Sequence, residues 1–175
     1  MKKRLLVVLA AGLMLFGFTS MANALSIGSG WEKFYFGGVG SQWENVDTTT
    51  AIFNFSLAFP AVLTVTDAFN AGDRFSVYDG ASFLGNTSVP TALGDDIGDN
   101  YDAAAADPRW STGMFLLPAG NYSITGFAID SPYGAGGAAL QLNVSSVPEP
   151  ATMFLLGTGL VGVAGAARRR KKNQA

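Results

Sequence analysis

Ile52-Phe53-Asn54-Phe55-Ser56-Leu57 decides the fold. Phe53, Phe55 and Leu57 fall on one side of an extended chain and Asn54 and Ser56 on the other, the alternation of a half-buried strand. The same period of two recurs outward from it. Leu63 and Val65 alternate with Val62, Thr64 and Thr66, and Phe75 and Val77 with Ser76 and Tyr78. Farther on, Tyr122 and Ile124 alternate with Ser123 and Thr125, and Leu140, Leu142 and Val144 with Gln141 and Asn143. Asn70-Ala71-Gly72-Asp73, Asp79-Gly80, Pro118-Ala119-Gly120-Asn121 and Ser131-Pro132-Tyr133-Gly134 supply turn chemistry between these runs. Short strands at even spacing predict an all-β domain, an antiparallel β-sandwich of jelly-roll type. The one helix-friendly run, Asp102 to Ala106, is too short to stand alone.

The two ends of the chain have a different character. Lys2, Lys3 and Arg4 precede an apolar stretch from Leu5 to Phe18, and Ala22-Asn23-Ala24 presents small residues at an A-x-A cleavage site. Residues 1–24 therefore read as a secretory signal peptide, cleaved after Ala24. At the other end stand Val147-Pro148-Glu149-Pro150, a 17-residue run without a charge from Ala151 to Ala167, and five consecutive cations from Arg168 to Lys172. As a helix that run would span about 25 Å, just short of a hydrocarbon core of about 30 Å. The cations place its C-terminal side in the cytoplasm by the positive-inside rule.

This C-terminal pattern closely resembles the PEP-CTERM sorting signal of Gram-negative bacteria that make exopolysaccharide. The resemblance covers residues 147–172. It implies recognition by an exosortase, a membrane cysteine-protease-like transpeptidase, and cleavage near Val147, Pro148, Glu149 and Pro150. It also implies an inner-membrane intermediate, then delivery to the cell surface or the extracellular matrix. The expected organisation is a signal peptide (1–24), a β-sandwich domain (25–146) and a sorting signal (147–175). Val65 to Gly80 and Leu117 to Ile124 are similar to blocks in other secreted PEP-CTERM proteins, which implies a β-sandwich and assigns no catalytic residue.

Charge and composition narrow the function. Removing the two ends leaves about 123 residues, enough for one domain. That domain keeps three cations, Lys33, Arg74 and Arg109, against twelve carboxylates, a net charge of −9. Nucleic acid is excluded as a partner, because phosphate binding needs clustered cations. The chain has no cysteine and no histidine, so disulfides, thiolate metal sites and the usual hydrolytic base are excluded. No Gly-rich phosphate loop and no nucleophile elbow occurs. The expectation is a protein that is not an enzyme. A glycan-active enzyme working through a carboxylate pair is the minor alternative.

Two constellations could carry binding. Asp95, Asp96, Asp99, Asn100 and Asp102 offer oxygen ligands of the kind calcium takes, although their spacing is not that of an EF-hand loop. The other reading of this segment is a solvated acidic loop. Asp67, Asp73 and Asp79 form a second, weaker oxygen cluster whose members also suit turns. Aromatic residues Trp31, Tyr35, Trp43, Tyr101, Trp110 and Tyr133 lie in or near expected loops. A sugar ring can lay its C–H face on such a ring, and Tyr101 with Trp110 is the expected platform, against the alternative that both are buried. The function expected is a secreted surface or exopolysaccharide-matrix protein that binds polysaccharide or serves as a structural component. A permanently membrane-anchored periplasmic domain is the alternative.

Overall fold

The computed structural model describes residues 23–145. The expected signal segment up to Ala22 and the whole sorting motif lie outside the described residues, and among those described no helix is long and apolar enough to cross a membrane. Among the described residues nine strands and one helix follow in order: β1 (Asn23–Ala24), β2 (Glu32–Phe36), β3 (Phe53–Leu57), β4 (Ala61–Asp67), β5 (Arg74–Asp79), β6 (Ser82–Asn86), α1 (Tyr101–Ala106), β7 (Thr112–Leu117), β8 (Gly120–Asp130) and β9 (Gly136–Val144).

Two sheets form, one ordered β1-β3-β8-β5-β6 and the other β2-β9-β4-β7. From β2 onward this is the eight-strand order of a jelly roll, closed by pairing the last strands back onto the first. Only β1 runs parallel to its neighbour, with Asn23 opposite Phe53 and Ala24 opposite Asn54. Cleavage after Ala24 would remove β1 and leave four antiparallel strands in each sheet.

The alternation decides which face is inward. Leu63 and Val65 from β4, Phe75 and Val77 from β5, Ile124 from β8 and Leu140 and Leu142 from β9 meet between the sheets. β2 joins them through Phe34 and Phe36. At the centre the Phe34 and Trp43 rings stack at 4.0 Å, and Phe75 presents its edge to Phe34 and Phe36 at 5.4 and 5.1 Å. Gly126 on β8 makes room for this stack. A Cβ there would lie 2.5 Å from the Trp43 ring and would collide with the Ser76 carbonyl oxygen. Val144 departs from its expected inward side and is exposed as β9 frays.

The short helix forms because its ends and one face are looked after by the tertiary structure. Asn100 Oδ1 accepts the Ala103 N–H at 3.2 Å as the N-cap. Tyr101 packs with Ala68 and Ala139 on the outer side of the β2-β9-β4-β7 sheet, and Ala104 packs with Ala71 and Trp110. Burial of that face supplies what six residues lack in intrinsic helix stability.

Candidate functional site: an aromatic groove on the outer face of the second strand

Trp31-Glu32-Lys33-Phe34-Tyr35-Phe36 is aromatic on both faces. Phe34 and Phe36 point into the core, so strand geometry turns Trp31, Lys33 and Tyr35 to the outside. β2 is also the end strand of its sheet. Tyr35 exchanges both backbone hydrogen bonds with Glu44, at 2.8 Å each, which brings the following turn alongside the strand. That turn is held by its own side chains. Asp47 Oδ1 accepts the Thr49 hydroxyl at 2.6 Å and the Thr49 N–H at 3.2 Å, and Asn45 Nδ2 donates to Thr49 Oγ1 at 3.0 Å. Strand and turn enclose a groove of about 580 Å³ with Trp31, Tyr35, Lys33, Glu32 and Asp47 in its walls. This is within the usual size of a small-ligand site, ~300–1,000 Å³.

The acidic segment turns out to serve this groove. Asp102 Oδ1 accepts the Trp31 indole N–H at 2.8 Å, and Asp99 pairs with Lys33 Nζ at 3.1 Å. The Tyr101 ring lies between them, 5.9 Å from the Trp31 ring and 5.6 Å below the Lys33 ammonium. The indole is therefore fixed at its polar edge and backed by another ring, leaving its other face to the groove. The Asp99 hydrogen bond, with Tyr101 adding, raises the Lys33 pKa and keeps that amine charged.

Of the five residues read as calcium ligands, each has a separate task. Asp95 pairs with Arg109 at 2.7 Å, Asp96 accepts the Gly98 N–H at 2.8 Å, and Asn100 caps α1. Asp99 and Asp102 hold Lys33 and Trp31. Among the described residues no three carboxylates converge where they could hold a metal ion.

Trp110 and Tyr101 do not form the expected open platform. Trp110 is 2% exposed and Tyr101 6%. The Trp110 indole donates to the Phe69 carbonyl at 3.0 Å, and the Arg109 guanidinium lies 4.9 Å over its ring. Closing the segment from Gly94 to Trp110 against the sheet hides both rings, and burying a large ring is more favourable than leaving it in water. Tyr35 is exposed and Trp31 half-buried in the groove wall instead. The aromatic alternation of 31–36 is the sequence signal that identifies them.

The carboxylates of the second acidic cluster also have local partners. Asp67 is fully buried, with Oδ1 accepting the Ala68 N–H and Oδ2 those of Gly72 and Asp73, at 2.8–3.3 Å. It shapes the turn between β4 and β5. Burial, with the Asp73 carboxyl adding, pushes Asp67 up to about 8, and burial pushes Asp73 up to about 6. Asp79 instead accepts the Ser123 N–H at 2.8 Å and ties β5 to β8.

A second groove of about 440 Å³ lies beside Arg74 and Asp130, but those two charges pair with each other at 2.8 Å and the remaining wall is largely apolar. No curated protein and no solved structure matches the chain. One family model does, the PEP-CTERM protein-sorting motif, over residues 146–171. The chain thus carries a PEP-CTERM sorting signal at its C-terminal end, the element that an exosortase recognises and that implies export.

Proposed function

We propose that exosortase processing delivers this protein to the cell surface or the exopolysaccharide matrix, where its jelly roll acts by binding polysaccharide rather than by catalysis. The observation that carries this reading is the groove on β2. Trp31 is locked by Asp102 and backed by Tyr101, and Tyr35 stands four residues along the same face, about 13 Å away at strand spacing. Two rings held at that separation suit non-adjacent sugars of one chain, with Asn45 and Asp47 in reach of hydroxyls. Rings fixed before binding lose little entropy on contact, which is what a weak, repeated surface interaction requires.

Affinity electrophoresis tests it. The protein should be retarded in a gel containing the host's own polysaccharide, and Trp31→Ala with Tyr35→Ala should migrate as in a gel without polymer. Equal retardation of the wild type and the double variant would remove the groove from this account. Release of reducing ends during the incubation would replace binding by catalysis.

A further inference from the structure

We infer that β7 is a pairing edge, and that two copies of this chain join there by antiparallel strand addition into a closed, two-fold dimer. The first observation is how the sheet edges end. β2 is covered, because Tyr35 exchanges backbone hydrogen bonds with Glu44. β6 is broken by a bulge where its register against β5 shifts, and Gly85 sits there at φ +151°. β1 is two residues long and lies ahead of the expected cleavage point. β7 has none of these devices. Its register against β4 runs without a shift from Ala61–Leu117 to Thr66–Thr112. Only its first residue is flanked, where the Ser88 N–H donates to the Thr112 carbonyl and Ser88 Oγ accepts the Thr112 N–H. From Gly113 to Leu117 no backbone group bonds outside the β4 ladder among the described residues. An edge left in this state is a template for another strand.

The second observation is what that edge presents. Thr112-Gly113-Met114-Phe115-Leu116-Leu117 contains no charge and no proline, the residues that ordinarily guard an edge. Met114 and Leu116 point away from the core and are 72% and 62% exposed. Ser82–Asn86 of β6, beside β7 in the other sheet, is uncharged as well. The domain as a whole carries −9, so a two-fold contact through a charged surface would set carboxylates against their own images. Through β7 it does not.

Phe115 is the midpoint of the open stretch, and a two-fold axis there fits the strand to itself. Met114 then lies opposite Leu116 of the second copy, and Leu116 opposite Met114 of that copy, as apolar cross-strand pairs. The sheet β2-β9-β4-β7 doubles into one of eight strands with a β2 at either end, about 34 Å apart at the usual strand spacing. Assembly stops at two, because each copy uses its open edge and the other edges are guarded.

Sedimentation of the full chain in mild detergent tests this. A contact confined to one strand is smaller than the ~1,600 Å² of a standard interface, so the dimer should exchange with monomer and its mass should fall on dilution. At high concentration the mass is expected to approach that of two chains. Met114→Lys with Leu116→Lys should hold it at one chain throughout, with an unchanged circular dichroism spectrum, since both side chains are exposed. Those lysines lower the net negative charge, so loss of the dimer reports the strand and not the field of the domain. The chain has no cysteine, which permits a trap. Met114→Cys with Leu116→Cys should give a covalent dimer, and no larger species, on mild oxidation.

A mass of one chain at every concentration would overturn the inference. So would a dimer that persists in the lysine variant, since the contact would then lie elsewhere, the apolar run 151–167 included. Failure of the cysteine variant to cross-link would overturn it whether or not the lysine variant folds. Open-ended growth on oxidation would overturn the closed arrangement.

Discussion

Asp102 and Trp31, 71 residues apart in the chain, are joined by a 2.8 Å hydrogen bond from the indole N–H to Oδ1. A residue from the first turn of α1 thereby sets the orientation of a ring beside an edge strand. Replacing Asp102 by Ala should leave the fold intact, because the bond is exposed and contributes only about 1 kcal/mol. The melting temperature should fall by about 3 °C or less, while retardation in a polysaccharide gel weakens several-fold. A variant that binds like the wild type would show that the indole needs no fixing.

The two buried carboxyls predict an unusual pH dependence. Asp67 and Asp73 are raised to about 8 and about 6, above the ordinary value near 3.8 that they regain on unfolding. Between pH ~4 and ~8 the native state therefore holds protons that the unfolded chain has released, and stability falls as pH rises through that window. Melting should occur at a higher temperature at pH ~5 than at pH ~8. Asp73 Oδ1 is buried without a partner among the described residues, and the nearby Ser131 hydroxyl donates to the Gly134 carbonyl. Asp73→Asn should accordingly raise the melting temperature at the alkaline end of the window and flatten the lower half of the slope. A melting temperature that rises across the same window would contradict the burial of both groups in their acid form.

Gly126 tests the core. Alanine there drives a methyl group into the Trp43 ring and the Ser76 carbonyl, and the carbonyl belongs to a paired strand that cannot move aside. The expected loss is about 3 kcal/mol or more in chemical denaturation. Thr125→Ala, the adjoining residue on the other face of β8, should cost far less.

Processing is checked by intact mass. Protein recovered from its host should correspond to a chain beginning at Leu25 and finishing near Pro148 or Pro150. A mass that retains residues 151–175 would mean that the glycine-rich run is a permanent anchor.

Much of the fold was legible locally. Strands β3, β4, β5, β8 and β9 announce themselves by period-two alternation, and the turns between them by Gly, Asn, Asp and Pro. β6 carries no such signal, because it pairs with β5 alone and its residues are half-exposed on both sides. Asp102–Ala106 was visible as helix-friendly, but its stability comes from Ala68, Ala139 and Trp110, which its own sequence does not contain.

The groove was legible only in its parts. Trp31 and Trp110 look alike in the sequence, each an indole near acidic residues. One is held at the surface by Asp102, and the other is sealed beneath the segment that carries α1. The acidic run likewise reads as a ligand set when its oxygens are counted along the chain, and disperses when each oxygen finds a different partner.

The sequence by itself determined the β architecture, the strongly acidic domain and the sorting address, because strand alternation, net charge and a contiguous motif are properties of neighbours along the chain. Only the tertiary structure decided which aromatics face solvent, which carboxylates hold them and which remain unpaired. Those outcomes depend on pairings between residues tens of positions apart, where burial and hydrogen bonding select one partner from many of the same chemical type.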